Sequence, residues 1–106
     1  MSEETYQKVA TVGEIPEGEG RAFEVNDRMV AVFLDEGEYF ALEDSCPHQG
    51  APLSDGMVCG KTVTCSWHGW KFDLGDGQWL DSPHTRVATY PVRVVGDEIQ
   101  VAVPKD

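Results

Sequence analysis

Two short segments hold residue types able to bind metal. Cys46-Pro47-His48 and Cys65-Ser66-Trp67-His68 are separated by sixteen residues and form a C-x-H…C-x-x-H pattern. Each half offers one thiolate and one imidazole, and two Cys with two His make a metal-site inventory. Zinc fingers usually pair Cys with Cys at one end and His with His at the other, about two to four residues apart, so the single-residue gap in Cys46-Pro47-His48 fits zinc poorly. Two irons fit better: one cysteine from each segment on one metal, one histidine from each on the other. Each segment then bridges both metals. A zinc-bound interaction module is the competing chemistry, and it would leave the protein colourless.

The third cysteine, Cys59, belongs to neither segment. An odd number of cysteines in a chain that opens Met1-Ser2-Glu3-Glu4, without the basic and apolar pattern of a secretory signal, argues against a disulfide framework. All three read as thiols. Cys59 lies in the turn Asp55-Gly56-Met57-Val58-Cys59-Gly60 with Lys61 as its one basic neighbour, which describes an ordinary free thiol rather than an activated one. No nucleophile–base pair or acidic dyad is evident, so no catalytic residue is expected.

Short β elements must position these segments. The apolar residues run in short stretches cut by Gly, Pro, Asn and Asp and never hold a 3.6-residue period for two or three turns, so no substantial helix is expected. Residues 6–12, 21–25, 29–34 and 39–42 read as strands of a meander, with Asn26-Asp27-Arg28 and Asp35-Glu36-Gly37-Glu38 as turns. Residues 92–95 and 98–103 flank Gly96-Asp97 as a hairpin with one buried face. Between these blocks, residues 44–85 hold all the cysteines, histidines and tryptophans. There, residues 62–65 and 71–73 read as short strands, and Leu74-Gly75-Asp76-Gly77-Gln78 as a turn into Trp79-Leu80. The expected picture is a small β subdomain, about 44–85, inserted in a larger β domain.

The chain has 106 residues, 41% hydrophobic and 25% charged, as a single globular domain over 1–106 would. Eight Lys and Arg against nineteen Asp and Glu give a net charge of −11, which repels nucleic-acid phosphates and anionic lipid alike. No window approaches a membrane span, so the expectation is a soluble cytoplasmic protein with neither nucleic acid nor membrane as partner. The acidity is uneven: residues 1–45 carry 12 acids and 3 bases, residues 46–106 carry 7 and 5. It reads as a solvated surface that keeps the protein soluble.

Cys46-Pro47-His48-Gln49-Gly50-Ala51-Pro52-Leu53 and Cys65-Ser66-Trp67-His68-Gly69-Trp70-Lys71-Phe72-Asp73 resemble the Rieske iron–sulfur family. The ending Thr89-Tyr90-Pro91-Val92-Arg93-Val94 is similar to the small Rieske ferredoxins and to the small subunit of assimilatory nitrite reductase. The resemblance implies an all-β, Rieske-type antiparallel β sandwich with the cluster-binding subdomain at its tip. It implies a [2Fe-2S] cluster with Cys46 and Cys65 on the buried iron and His48 and His68 on the outer one. It also implies electron transport from a flavin or NAD(P)H-linked reductase to a terminal oxygenase. The alternative is a nitrite reductase small subunit serving a large subunit that carries the catalysis; retention of all four ligands with Trp67-His68-Gly69-Trp70 favours the ferredoxin.

Under the same resemblance Gly50 and Gly69 are expected to turn backbone N–H groups toward sulfur. His84 is a surface residue of a loop covering the cluster, and Trp67 and Trp70 pack the ligand loop. High-potential relatives carry an extra cysteine in each loop and a Ser and a Tyr hydroxyl that hydrogen-bond cluster sulfur. Ala51, Trp67, Trp70 and Phe72 stand at the matching positions. A midpoint in the lower part of the Rieske range is therefore expected.

Overall fold

A computed structural model of the chain describes residues 6–26, 28–44, 52–65, 69–80 and 85–103. Among them are ten strands, one 3-10 turn at Leu53–Asp55 and no α-helix. The strands are β1 (Tyr6–Thr11), β2 (Gly20–Val25), β3 (Arg28–Asp35), β4 (Glu38–Glu43), β5 (Met57–Cys59), β6 (Thr62–Thr64), β7 (Lys71–Asp73), β8 (Thr89–Tyr90), β9 (Val92–Val95) and β10 (Glu98–Ala102). They form three antiparallel sheets, β1-β10-β9, β2-β3-β4-β8 and β5-β6-β7. The fold is all-β, as the sequence implies.

The first two sheets make the sandwich. Ile99 and Val101 of β10, Ala10 of β1, Val30 and Val32 of β3 and Ala41 of β4 fill the layer between them, with Tyr90 and Val25 at its margin. β3 is central, and its run Met29-Val30-Ala31-Val32-Phe33-Leu34 does not alternate with polar residues because both faces are covered. Val30 and Val32 point into the sandwich. Ala31 and Phe33 point the other way, into a second core with Leu42, Leu53, Val63, Phe72 and Val87. That second core joins the β5-β6-β7 sheet to the sandwich. Full burial of Phe33 on this face contributes about 1.5–3 kcal/mol.

β1 departs from the expected meander. It pairs with β10, from Tyr6 opposite Ala102 to Thr11 opposite Glu98, with a bulge between Lys8 and Ala10. Residues 12–19 are too long for a tight hairpin and carry the chain from one sheet to the other, burying Ile15 on the way. β5 occupies part of what the sequence presents as a turn, and β8 is only two residues long.

A two-residue turn joins the first two strands of the subdomain. Gly60 and Lys61 both have positive φ (61° and 63°), the turn that matches the twist of the β5–β6 hairpin. Lys61 carries a side chain in this left-handed region, and the buried Asp35 at the end of β3 accepts its N–H at 2.7 Å. The Lys61 carbonyl accepts the Leu74 N–H at 2.8 Å. One acidic side chain thus ties the subdomain hairpin to the sandwich.

Candidate metal centre

Each ligand-bearing segment leaves and rejoins described structure at points held by hydrogen bonds. Asp44, directly after β4, donates its N–H to the Met29 carbonyl at 3.0 Å. Its carboxylate accepts the Ser54 N–H at 2.8 Å and the Ser54 hydroxyl at 3.1 Å. This clasp closes the base of the segment carrying Cys46 and His48. Leu53, beside it, is fully buried in the second core.

The second segment starts from β6. Cys65 is 1% exposed and belongs to the second core with Val63 and Phe72. Its N–H donates to the Trp70 carbonyl at 2.6 Å, and its carbonyl accepts the Gly69 N–H at 3.1 Å. These two bonds tie Cys65 to Gly69 and Trp70, and Gly69 takes a left-handed φ of 75°. The Gly69 N–H is therefore spent on the Cys65 carbonyl, a correction to the expectation that it faces sulfur. A side chain in that conformation would be strained, which is why a glycine stands there.

Residues 78–80 and 85–86 pack beside this segment. Trp79 forms an antiparallel bridge with Phe72, and Gln78 with Arg86. The Trp79 N–H donates to the Thr85 carbonyl at 2.9 Å. The Trp79 indole stacks on Trp70, with ring centroids 3.7 Å apart and planes within 4°.

Of the four sequence-predicted ligands the described residues include Cys65; Cys46, His48 and His68 lie outside them, as do Gly50, Ala51, Trp67 and His84. Cys59 is an exposed free thiol at the end of β5, whereas Cys65 is a buried free one. A buried cysteine with its backbone fixed at both N–H and carbonyl, in an apolar core that excludes water, fits a thiolate ligand to a cluster. The donor set of two Cys and two His fits iron–sulfur ligation as well. Sequence reasoning missed the Asp44–Ser54 clasp and the Trp79 stack. Asp44 was visible only as an acid near the first segment, and no spacing rule pairs it with a serine ten positions on.

The Rieske [2Fe-2S] domain profile matches residues 5–91. The ferredoxin component of a naphthalene 1,2-dioxygenase system from Pseudomonas aeruginosa is 34% identical over 102 residues, 95% of this chain and 97% of that one. A solved structure described as an NADH-dependent nitrite reductase small subunit from Mycobacterium tuberculosis superposes with a TM-score of 0.91 at 29% identity, covering 99% of this chain and 100% of the other. A chain in a complex of reduced oxygenase and oxidised ferredoxin of carbazole 1,9a-dioxygenase superposes with a TM-score of 0.84 at 28% identity, covering 98% of each. Fold, buried cysteine and profile agree: the chain belongs to the Rieske [2Fe-2S] family and is a [2Fe-2S] cluster protein.

Proposed function

We propose that this chain is a one-electron carrier that takes electrons from a flavin or NAD(P)H-linked reductase and delivers them to a terminal oxygenase. The observation that carries this reading is the likeness, over nearly the whole of both chains, to a dioxygenase ferredoxin component. The cluster, when bound, supplies a one-electron couple. Four protein ligands leave no open coordination position for a substrate, so the protein's part is to hold, insulate and present that couple. Cys46 and Cys65 would hold one iron and His48 and His68 the other, and the cluster so held would supply the one-electron couple. Cys65 fits this role because its surroundings are apolar.

The chain forms one domain over 1–106, with residues of about 44–85 as the cluster-binding part; the β5-β6-β7 sheet and its shared core support this division. Among the described residues no helix is long and apolar enough to cross a membrane. We place the protein in the cytoplasm, where NAD(P)H-linked reductases have their substrate. A second reading, the small subunit of an NAD(P)H-dependent nitrite reductase, is favoured by the TM-score of 0.91 to such a chain. Stopped-flow reoxidation separates them. Reduced protein mixed with a Rieske oxygenase should be reoxidised rapidly, and mixed with a sirohaem nitrite reductase large subunit slowly; the reverse order establishes the second reading.

A further inference from the structure

The stacked pair Trp70–Trp79 is not accounted for by packing alone. The Trp79 indole N–H is buried and has no hydrogen-bond partner among the described residues, a desolvation that the position must offset elsewhere. Tryptophans at such places normally satisfy that donor. The Trp79 backbone is fixed on two sides: its N–H donates to Thr85, and the next residue, Leu80, donates its N–H to the Lys71 carbonyl at 2.9 Å. The ring is thus held rigidly, and it lies flat on Trp70. Trp70 in turn supplies the carbonyl that accepts the Cys65 N–H and adjoins Gly69, which donates to the Cys65 carbonyl. A further tilted contact, 6.3 Å between centroids, joins Trp70 to Phe72.

We infer that Trp79 is a positioning residue for the cluster: by stacking on Trp70 it fixes the backbone carbonyl that holds the Cys65 N–H. The inference rests on the reading of Cys65 as a ligand. The ring carries the effect and the N–H does not, since the N–H makes no bond among the described residues. A residue with a ring at position 79 should therefore preserve cluster geometry, and an aliphatic residue of comparable apolar character should not.

The test compares Trp79→Leu, Trp79→Phe and, as a control in the sandwich core away from Cys65, Val101→Ala. Two readouts are taken on the cluster-loaded protein: the EPR spectrum after dithionite reduction and the rate of bleaching by an iron chelator. Losing one aromatic pair should accelerate bleaching in Trp79→Leu by about two- to tenfold. Its EPR line positions should shift or broaden. Trp79→Phe should recover most of both. Val101→Ala lowers global stability yet should keep the wild-type EPR spectrum. A wild-type EPR spectrum and bleaching rate in Trp79→Leu, or the same spectral change in Val101→Ala, overturns the inference. Should Trp79→Leu fold too poorly to load, Trp79→Phe decides: line positions as far from wild type as those of a ring-less Trp79→Met overturn it. Failure of the underlying ligand reading would be seen separately, as a Cys65→Ser protein that keeps its cluster.

Discussion

At the residue scale, the proposed function rests on four side chains, Cys46, His48, Cys65 and His68. Replacing Cys46 or Cys65 by Ser, or His48 or His68 by Ala, should abolish or severely deplete the visible cluster absorbance, while Cys59→Ser leaves it intact. Absorption spectra of the purified variants check this; bleaching by Cys59→Ser with retention in His48→Ala would reverse the assignment. The motif was legible because ligands on tight loops need fixed local spacing. The Asp44–Ser54 clasp was not, since it closes a loop whose path no local rule specifies. Away from the site, the Thr11 hydroxyl and backbone N–H both donate to the Glu14 carboxylate and hold its pKa below the ordinary 4.5. A depressed folded value means the bond's contribution is present above the unfolded pKa and fades as pH falls through the folded one. NMR titration should find the Glu14 midpoint below 4.5 and see it rise in Thr11→Val.

At the element scale, β3 serves two cores at once. Phe33→Ala removes a fully buried ring from the core shared by sandwich and subdomain and should destabilise the protein by roughly 3–5 kcal/mol, with the cluster becoming easier to extract. Denaturant unfolding of the cluster-loaded protein measures the first effect and chelator bleaching the second; an unfolding loss without faster bleaching would mean the two units are not coupled. The strands richest in β-branched and aromatic residues were readable from composition, and the tight turns at Glu36-Gly37 and Gly96-Asp97 from their residue types. The partner of β1 was not readable, because pairing with β10 joins residues some ninety positions apart and depends on where the 12–19 loop delivers the chain. β5 was hidden by its brevity. Its three residues stand between Gly56 and Gly60 and become a strand only because β6 is there to pair with.

At the scale of the whole molecule, the net charge of −11 lies mostly in the first 45 residues, and residues 46–85 contribute 4 acids and 2 bases. The long-range field should therefore guide a basic partner, while the contact around the ligand segments is less charged. Association with such a partner should slow on the order of tenfold between low and physiological ionic strength, where the Debye length shrinks to about 8 Å. Rates independent of salt would remove the steering role. A cluster with two thiolate and two neutral imidazole ligands, built for electron transfer, should reveal itself in a redox titration. Trp70 and Phe72 cannot donate an O–H to sulfur at positions where high-potential relatives do, and Asp44 and Asp55 add negative charge nearby. The expected one-electron midpoint lies in the lower part of the Rieske range of about −150 to +300 mV. A midpoint above about +100 mV would overturn the hydrogen-bond argument alone, whereas a value near the roughly −400 mV of an all-cysteine cluster, or no redox transition at all, would contradict the two-thiolate, two-imidazole ligation itself.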